Sequence, residues 1–279
     1  MFVNISPAFL NGSYKEIFID TLNVVINIEE VQMSKMRRKI VAGNWKENGN
    51  LALVQAFNVG LTKASIDNVN VVICPPFPYL QAVESNQRFA LGAQDISLFE
   101  RGAHTGQVAG EMLCEVGCQY VIVGHSERRT ECHETNNIVA EKTIRALASS
   151  LTPIVCFGEP ELIRTEGNLF DYLDAQLKPV FEQVGAANIS KLVLAYEPIW
   201  AIGTGLTASP EQAQEVHKYV RRLLAQHSED AASSVSILYG GSVKADNAET
   251  LFSQPDIDGG LIGGASLQLA QFLAICRSA

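Results

Sequence analysis

Residues 192–205 read Leu192-Val193-Leu194-Ala195-Tyr196-Glu197-Pro198-Ile199-Trp200-Ala201-Ile202-Gly203-Thr204-Gly205. Leu192 to Tyr196 is a short apolar run without alternation, the pattern of a strand buried on both faces. A carboxylate, Glu197, stands at its C-terminal end, and Pro198 stops the strand because proline has no N–H for a ladder. Trp200 anchors the loop that follows, and Gly203 and Gly205 make it flexible. Ser209-Pro210-Glu211-Gln212 is then a capping box with proline at the first helical position. It opens onto Val216, Val220, Leu223 and Leu224 at helical spacing. The stretch is one strand–loop–helix unit with an acid at the strand end. A general base there, under a loop able to close over it, builds a site that excludes water.

The same unit recurs along the chain, eight times in all, without internal sequence identity. The predicted strands are 39–43, 70–74, 89–93, 119–123, 152–157, 192–196, 235–239 and 258–262, all short and apolar. Between them, Leu51, Val54, Phe57 and Leu61 repeat at helical spacing, as do Leu169, Tyr172, Leu173, Leu177, Val180, Phe181 and Val184. Eight such units predict an α/β fold, a single (β/α)8 barrel, with a doubly wound open sheet as the second architecture. No glycine-rich linker or change of composition divides the barrel.

Composition narrows the function. The chain has 279 residues, 47% of them hydrophobic and 18% charged, so it can bury a substantial core. A net charge of −9, with no basic run longer than Lys35 to Lys39, argues against a nucleic-acid surface. No apolar span reaches the ~18 residues of a membrane helix. The six cysteines have no regular spacing and several sit in apolar runs, as reduced thiols of a cytoplasmic protein would. Cys114 and Cys118 could share a helical face for a metal, but Gly117 ends that helix first and no further ligand is in sight, so no metal site is expected.

Residues 1–35 do not fit the repeat and resemble neither a transit peptide nor a secretory signal. Met33 and Met36 stand just before the first strand, so translation starting at one of them is one reading and a genuine appended segment is the other. Peptides from residues 1–30 in the native protein would exclude the first. The barrel domain is expected over 36–279.

Side chains that follow barrel strands gather on one face. Asn44 and Lys46 follow strand one, His125 strand four, Glu197 strand six, Ser242 strand seven, and Gly263 and Gly264 strand eight, with Gly203 in the sixth loop. Singly, each has a bland explanation: a solvated lysine, a structural histidine, a strand-end glutamate, a glycine turn. Their convergence on one face in one order makes that explanation improbable.

Gly43-Asn44-Trp45-Lys46, Gly124-His125-Ser126-Glu127-Arg128-Arg129, Ala195 to Gly205, Tyr239-Gly240-Gly241-Ser242-Val243 and Gly263-Gly264-Ala265-Ser266 carry a resemblance. In order and spacing they resemble the triosephosphate isomerase family, over residues 38 to 276. The resemblance implies interconversion of glyceraldehyde 3-phosphate and dihydroxyacetone phosphate by proton transfer through a cis-enediolate. It makes Glu197 the base, His125 the electrophile, Lys46 the positive charge facing the enediolate, Asn44 an amide donor and Glu127 the partner of Lys46. Desolvation would make Glu197 more basic. A helix opening at Ser126-Glu127 would disfavour the His125 imidazolium.

The phosphate would be held by backbone N–H groups of Gly203, Ser242, Gly263 and Gly264, the last two leading into a short helix over 265–267. No metal or organic cofactor is called for. The loop Gly102-Ala103-His104-Thr105-Gly106 resembles the family's dimer loop, with Thr105 reaching the partner's pocket beside Asn44 and Lys46. A homodimer with a poorly active monomer is therefore expected. The remaining histidines, His104, His133, His217 and His227, read as structural or solvated.

Two departures stand out: residues 1–35, expected on the face opposite the site and neutral to catalysis, and Leu206, where many members carry lysine. The Leu206 hinge should alter loop opening and leave the chemistry intact, so Leu206→Lys is expected to change turnover by less than about tenfold, or 1.4 kcal/mol. A larger change contradicts it. A barrel for a different sugar phosphate would not need Asn44, Lys46, His125 and Glu197 together. A scaffold that had lost activity would not keep them.

Overall fold

The computed structural model describes residues 37–203 and 206–279. The extension 1–35 with its expected placement, and Gly205 of the sixth loop, lie outside the described residues.

Eight parallel strands close into a barrel in chain order. They are β1 (Lys39–Asn44), β2 (Val69–Cys74), β3 (Ala90–Ala93), β4 (Cys118–Val123), β5 (Thr152–Phe157), β6 (Val193–Tyr196), β7 (Ser236–Tyr239) and β8 (Gly259–Ile262). Each matches a predicted strand to within a residue at either end. β1 closes the ring on β8, with Ile40 opposite Gly259 and Gly43 opposite Ile262. The open-sheet alternative is thereby excluded.

The strand period of two sorts side chains into two layers. Ile40, Ala42, Val72, Cys74, Ile122, Ile154, Cys156, Val193, Ala195, Leu238 and Leu261 fill the barrel interior. Their neighbours, including Val41, Val71, Ile73, Val121, Val155 and Leu194, face outward and pack under the helices. The helix Leu51–Lys63 buries Val54, Phe57 and Leu61 as predicted, whereas Leu51 opens it on the solvent side and is exposed. Leu169–Val184 buries Leu169, Leu173, Leu177, Val180, Phe181 and Val184. Ser209 and Gln212 form the predicted capping box of the helix Pro210–His227. Among the described residues no helix is long and apolar enough to cross a membrane.

His217 is a polar residue on the buried row of its helix, with Ala213, Val220 and Leu224. It lies on the inner face of Pro210–His227, fully buried, beside the rings of Tyr196 and Tyr239. Burial pushes its pKa down to about 3, although Nδ1 lies 3.2 Å from the Asp256 carbonyl. The folded pKa is thus below the unfolded value near 6.5, and protonation favours the unfolded chain. This contribution is complete above pH ~6.5 and is lost as pH falls toward 3. His217→Phe is expected to flatten the fall of Tm between about pH 6 and 4. An unchanged slope would contradict it.

Candidate active site

The parity that fills the barrel also aims its chemistry. Ile40 and Ala42 point inward, so Asn44 does too, at the C-terminal mouth. Val193 and Ala195 point inward, and Glu197, two residues on, continues that row beyond the strand. Both side chains are buried, Glu197 to 2% exposure. His125 is the N-cap of the helix Ser126–Glu131, as predicted: its Nδ1 accepts the Glu127 N–H at 3.2 Å.

The predicted residues converge. His125 Nε2 lies 2.9 Å from Glu197 Oε1, and the Ser126 N–H donates to Glu197 Oε2 at 2.8 Å. Because Nδ1 accepts a backbone N–H, the ring carries its proton on Nε2 and donates it to the carboxylate. Lys46 Nζ pairs with Glu127 Oε1 at 2.5 Å, as expected from the motif. Asn44, Lys46, His125, Glu197, Gly203, Ser242, Gly263 and Gly264 line one cavity of about 380 Å³. Gly264–Leu267 forms a short 3₁₀ helix at its rim.

The electrostatics differ from both expectations, that desolvation makes Glu197 more basic and that the helix N-terminus disfavours the His125 imidazolium. Burial pushes the Glu197 pKa up, but the paired His125, the Ser126 N–H and Lys46 outweigh it, and the pKa lies below the usual value. Burial likewise works against a charged His125, yet the carboxylates of Glu197 and Glu127 lift its pKa above the usual value. The largest opposing contribution to each shift is the direct contact of the two groups, and a molecule placed between them removes that contact.

Backbone details show why these residue types stand here. Lys46 has a φ of +52°, a strained conformation for a side chain of its size. The Glu197 carbonyl runs so close to Gly158 that a Cβ there would lie 1.7 Å from its oxygen. Gly203 has a φ of +71°, with open space around it.

Three contributors escaped the sequence reading. Gln94, directly after β3, donates to the carbonyls of Lys46 at 2.8 Å and Cys74 at 2.9 Å. Glu159, fully buried after β5, accepts from Trp200 Nε1 at 2.9 Å, Tyr196 Oη at 3.0 Å and Arg164 Nη1 at 3.2 Å, and so holds the start of the sixth loop. Strand-end position was the available signal for both. Ser126 acts through its backbone N–H, which no side-chain pattern reveals. Conversely, Cys114 ends up in the helix Gly110–Glu115 and Cys118 in β4, so the two never share a helical face.

The family model described as triosephosphate isomerase matches residues 39–279. The chain belongs to the triosephosphate isomerase family. It is 52% identical over 249 residues to the triosephosphate isomerase of Herminiimonas arsenicoxydans, covering 88% of this chain and 100% of that protein. The triosephosphate isomerase of Alkalilimnicola ehrlichii is 51% identical over 249 residues, covering 88% and 99%. That of Colwellia psychrerythraea is 49% identical over 251 residues, covering 87% and 98%. The matched region is the barrel with its cavity, and its strand-end side chains are the ones by which the sequence resembles the triosephosphate isomerase family.

Proposed function

We propose that the barrel interconverts D-glyceraldehyde 3-phosphate and dihydroxyacetone phosphate through a cis-enediolate. The observation that carries this reading is the contact of Glu197 with His125 inside a cavity that also holds Lys46 and the glycine turns. The reaction requires a base that removes a proton from carbon and returns it to the adjacent carbon. Glu197 is assigned that role. Both its oxygens are engaged, one by His125 and one by the Ser126 N–H, so the carboxylate must exchange a bond for the substrate. His125, its Nε2 proton released from the carboxylate, polarises the substrate carbonyl oxygen beside that carbon.

Lys46 supplies positive charge where the enediolate becomes negative, Glu127 holds that ammonium, and Asn44 donates its amide to a substrate oxygen. The N–H groups of Gly203, Ser242, Gly263 and Gly264 are assigned to the phosphate. Binding of that non-reacting group then favours closure of the sixth loop.

Isomerisation in deuterated water tests this directly. Deuterium should enter the product at the carbon that receives the proton, and Glu197→Gln should abolish the incorporation. Unchanged turnover and unchanged incorporation in the variant would rule out Glu197 as the base.

We assign the activity to 36–279 and none of it to 1–35; the chain truncated to Met36 should keep full turnover. A homodimer built through the Thr105 loop accompanies this reading. Thr105 is exposed at the tip of a loop in which Phe99 stacks on His104 at 3.6 Å between ring centroids. Light scattering should give twice the chain mass, and a monomer would sink the assignment. Cytoplasmic work in glycolysis and gluconeogenesis fits the family and the free cysteines.

A further inference from the structure

Lys46 is held in a backbone conformation that an unsupported lysine would leave. Its φ of +52° places it in the left-handed region, which persists for a bulky residue only where neighbours over-determine it. Its peptide groups are gripped on both sides. The Lys46 N–H donates to Asn44 Oδ1 at 3.0 Å. The Lys46 carbonyl accepts from Gln94 Nε2 at 2.8 Å, and the same amide nitrogen donates to the Cys74 carbonyl at 2.9 Å. Both hydrogens of the Gln94 carboxamide are thus spent on backbone oxygens at the C-terminal ends of neighbouring strands. The Cys74 carbonyl also accepts the Trp45 N–H at 3.1 Å, so the segment leaving β1 is tied to the end of β2 at two points.

We propose that Gln94 is a positioning residue for the isomerisation, acting through the Lys46 backbone to aim its ammonium. Gln94 touches no reacting atom in this account. It fixes the Lys46 carbonyl, Asn44 fixes the Lys46 N–H, and Glu127 holds Nζ at the other end of the chain. A charge that stabilises a transition state works only if it is already in place, because moving it during the reaction costs part of what it contributes. The Gln94 carboxamide spans both carbonyls because its one nitrogen carries two hydrogens. A carboxylate of the same shape would face them with acceptors only.

The inference rests on the role assigned to Lys46, and the experiment separates the two. Gln94→Met keeps the shape and removes both donors. It is expected to lower kcat by about tenfold or more with KM changed less than about threefold, since the ammonium acts mainly in the transition state. Lys46→Met alone tests the role of the lysine.

Affinity for a phosphorylated hydroxamate, a mimic of the enediolate, then closes a double-mutant cycle. Gln94→Met should weaken that binding in the wild-type background and have no further effect beside Lys46→Met. A full additional loss in that background, or a Gln94→Met protein with lowered Tm and unchanged kcat, would overturn the proposal. Unchanged kcat and hydroxamate affinity in Lys46→Met would instead overturn the role of Lys46. Should Gln94→Met not fold, Gln94→Asn, which keeps the amide one methylene short, replaces it. The same kcat-selective loss is expected, and wild-type kcat would overturn the proposal.

Discussion

Glu197→Asp is expected to lower kcat by about 10²-fold or more, because a reacting group misplaced by about 1 Å loses most of the advantage of orientation. The backbone cannot follow the shortened side chain. The Glu197 N–H is bonded to the Phe157 carbonyl at 2.7 Å, and its own carbonyl lies against Gly158, where even a Cβ would find no room. The Gly240 Cα closes the other side, since a Cβ there would lie 3.0 Å from Glu197 Cγ. The carboxylate must therefore retract from the cavity by roughly one C–C bond, ~1.5 Å. His125 and the Ser126 N–H would each lose reach to it. Steady-state kinetics on a variant of unchanged Tm checks this, and activity within threefold of the parent contradicts it.

Lys142→Met should produce the largest loss of stability. Lys142 is buried, and its Nζ binds Asp95 Oδ1 at 2.5 Å and Glu134 Oε1 at 2.7 Å. Arg128 reaches the same two carboxylates, at 2.8 Å and 2.9 Å, from the short helix that also carries Glu127. Two cations balance two anions. Removing Lys142 leaves two buried carboxylates to share one half-exposed guanidinium. Breaking a buried pair by deleting one partner costs about 3–5 kcal/mol, which for a chain of this size lowers Tm by roughly 10 °C.

The deficit should depend on pH. Burial already holds the Asp95 pKa above its usual value, and losing Lys142 lifts it further above the unfolded one. Such a carboxylate destabilises while ionised, so the deficit is greatest near neutral pH and shrinks as acid protonates Asp95. Thermal melts of parent and variant from about pH 7 to 5 read this directly. A Tm shift below about 2 °C, or one that grows in acid, contradicts it.

How much of this was legible in the sequence depended on which atoms carry the information. Strand positions were legible because both faces of each strand are buried, so Val71 to Cys74 or Val193 to Tyr196 stand out as unbroken apolar runs. Asn44, His125 and Glu197 were legible because they follow different strands of one barrel face and stand in motifs that resemble the family. Glu159 and Gln94 occupy equivalent places, yet what they hold is an indole N–H and two backbone carbonyls, and those partners exist only in three dimensions. The left-handed backbone of Lys46 and the fit of Gly158 against Glu197 are likewise invisible to periodicity. His217 read as structural or solvated because its helix is polar on average, and only its position beside two tyrosine rings decides for the buried structural role. The mutual pKa shifts of His125 and Glu197 follow from a 2.9 Å contact between residues far apart in the chain.

The most direct test of the central claim is the turnover of glyceraldehyde 3-phosphate by the purified chain, coupled to detection of dihydroxyacetone phosphate. The account predicts kcat/KM near the diffusional range, around 10⁸ M⁻¹s⁻¹, for the full chain and for the chain beginning at Met36. Absence of turnover in both, with the fold intact, would contradict it.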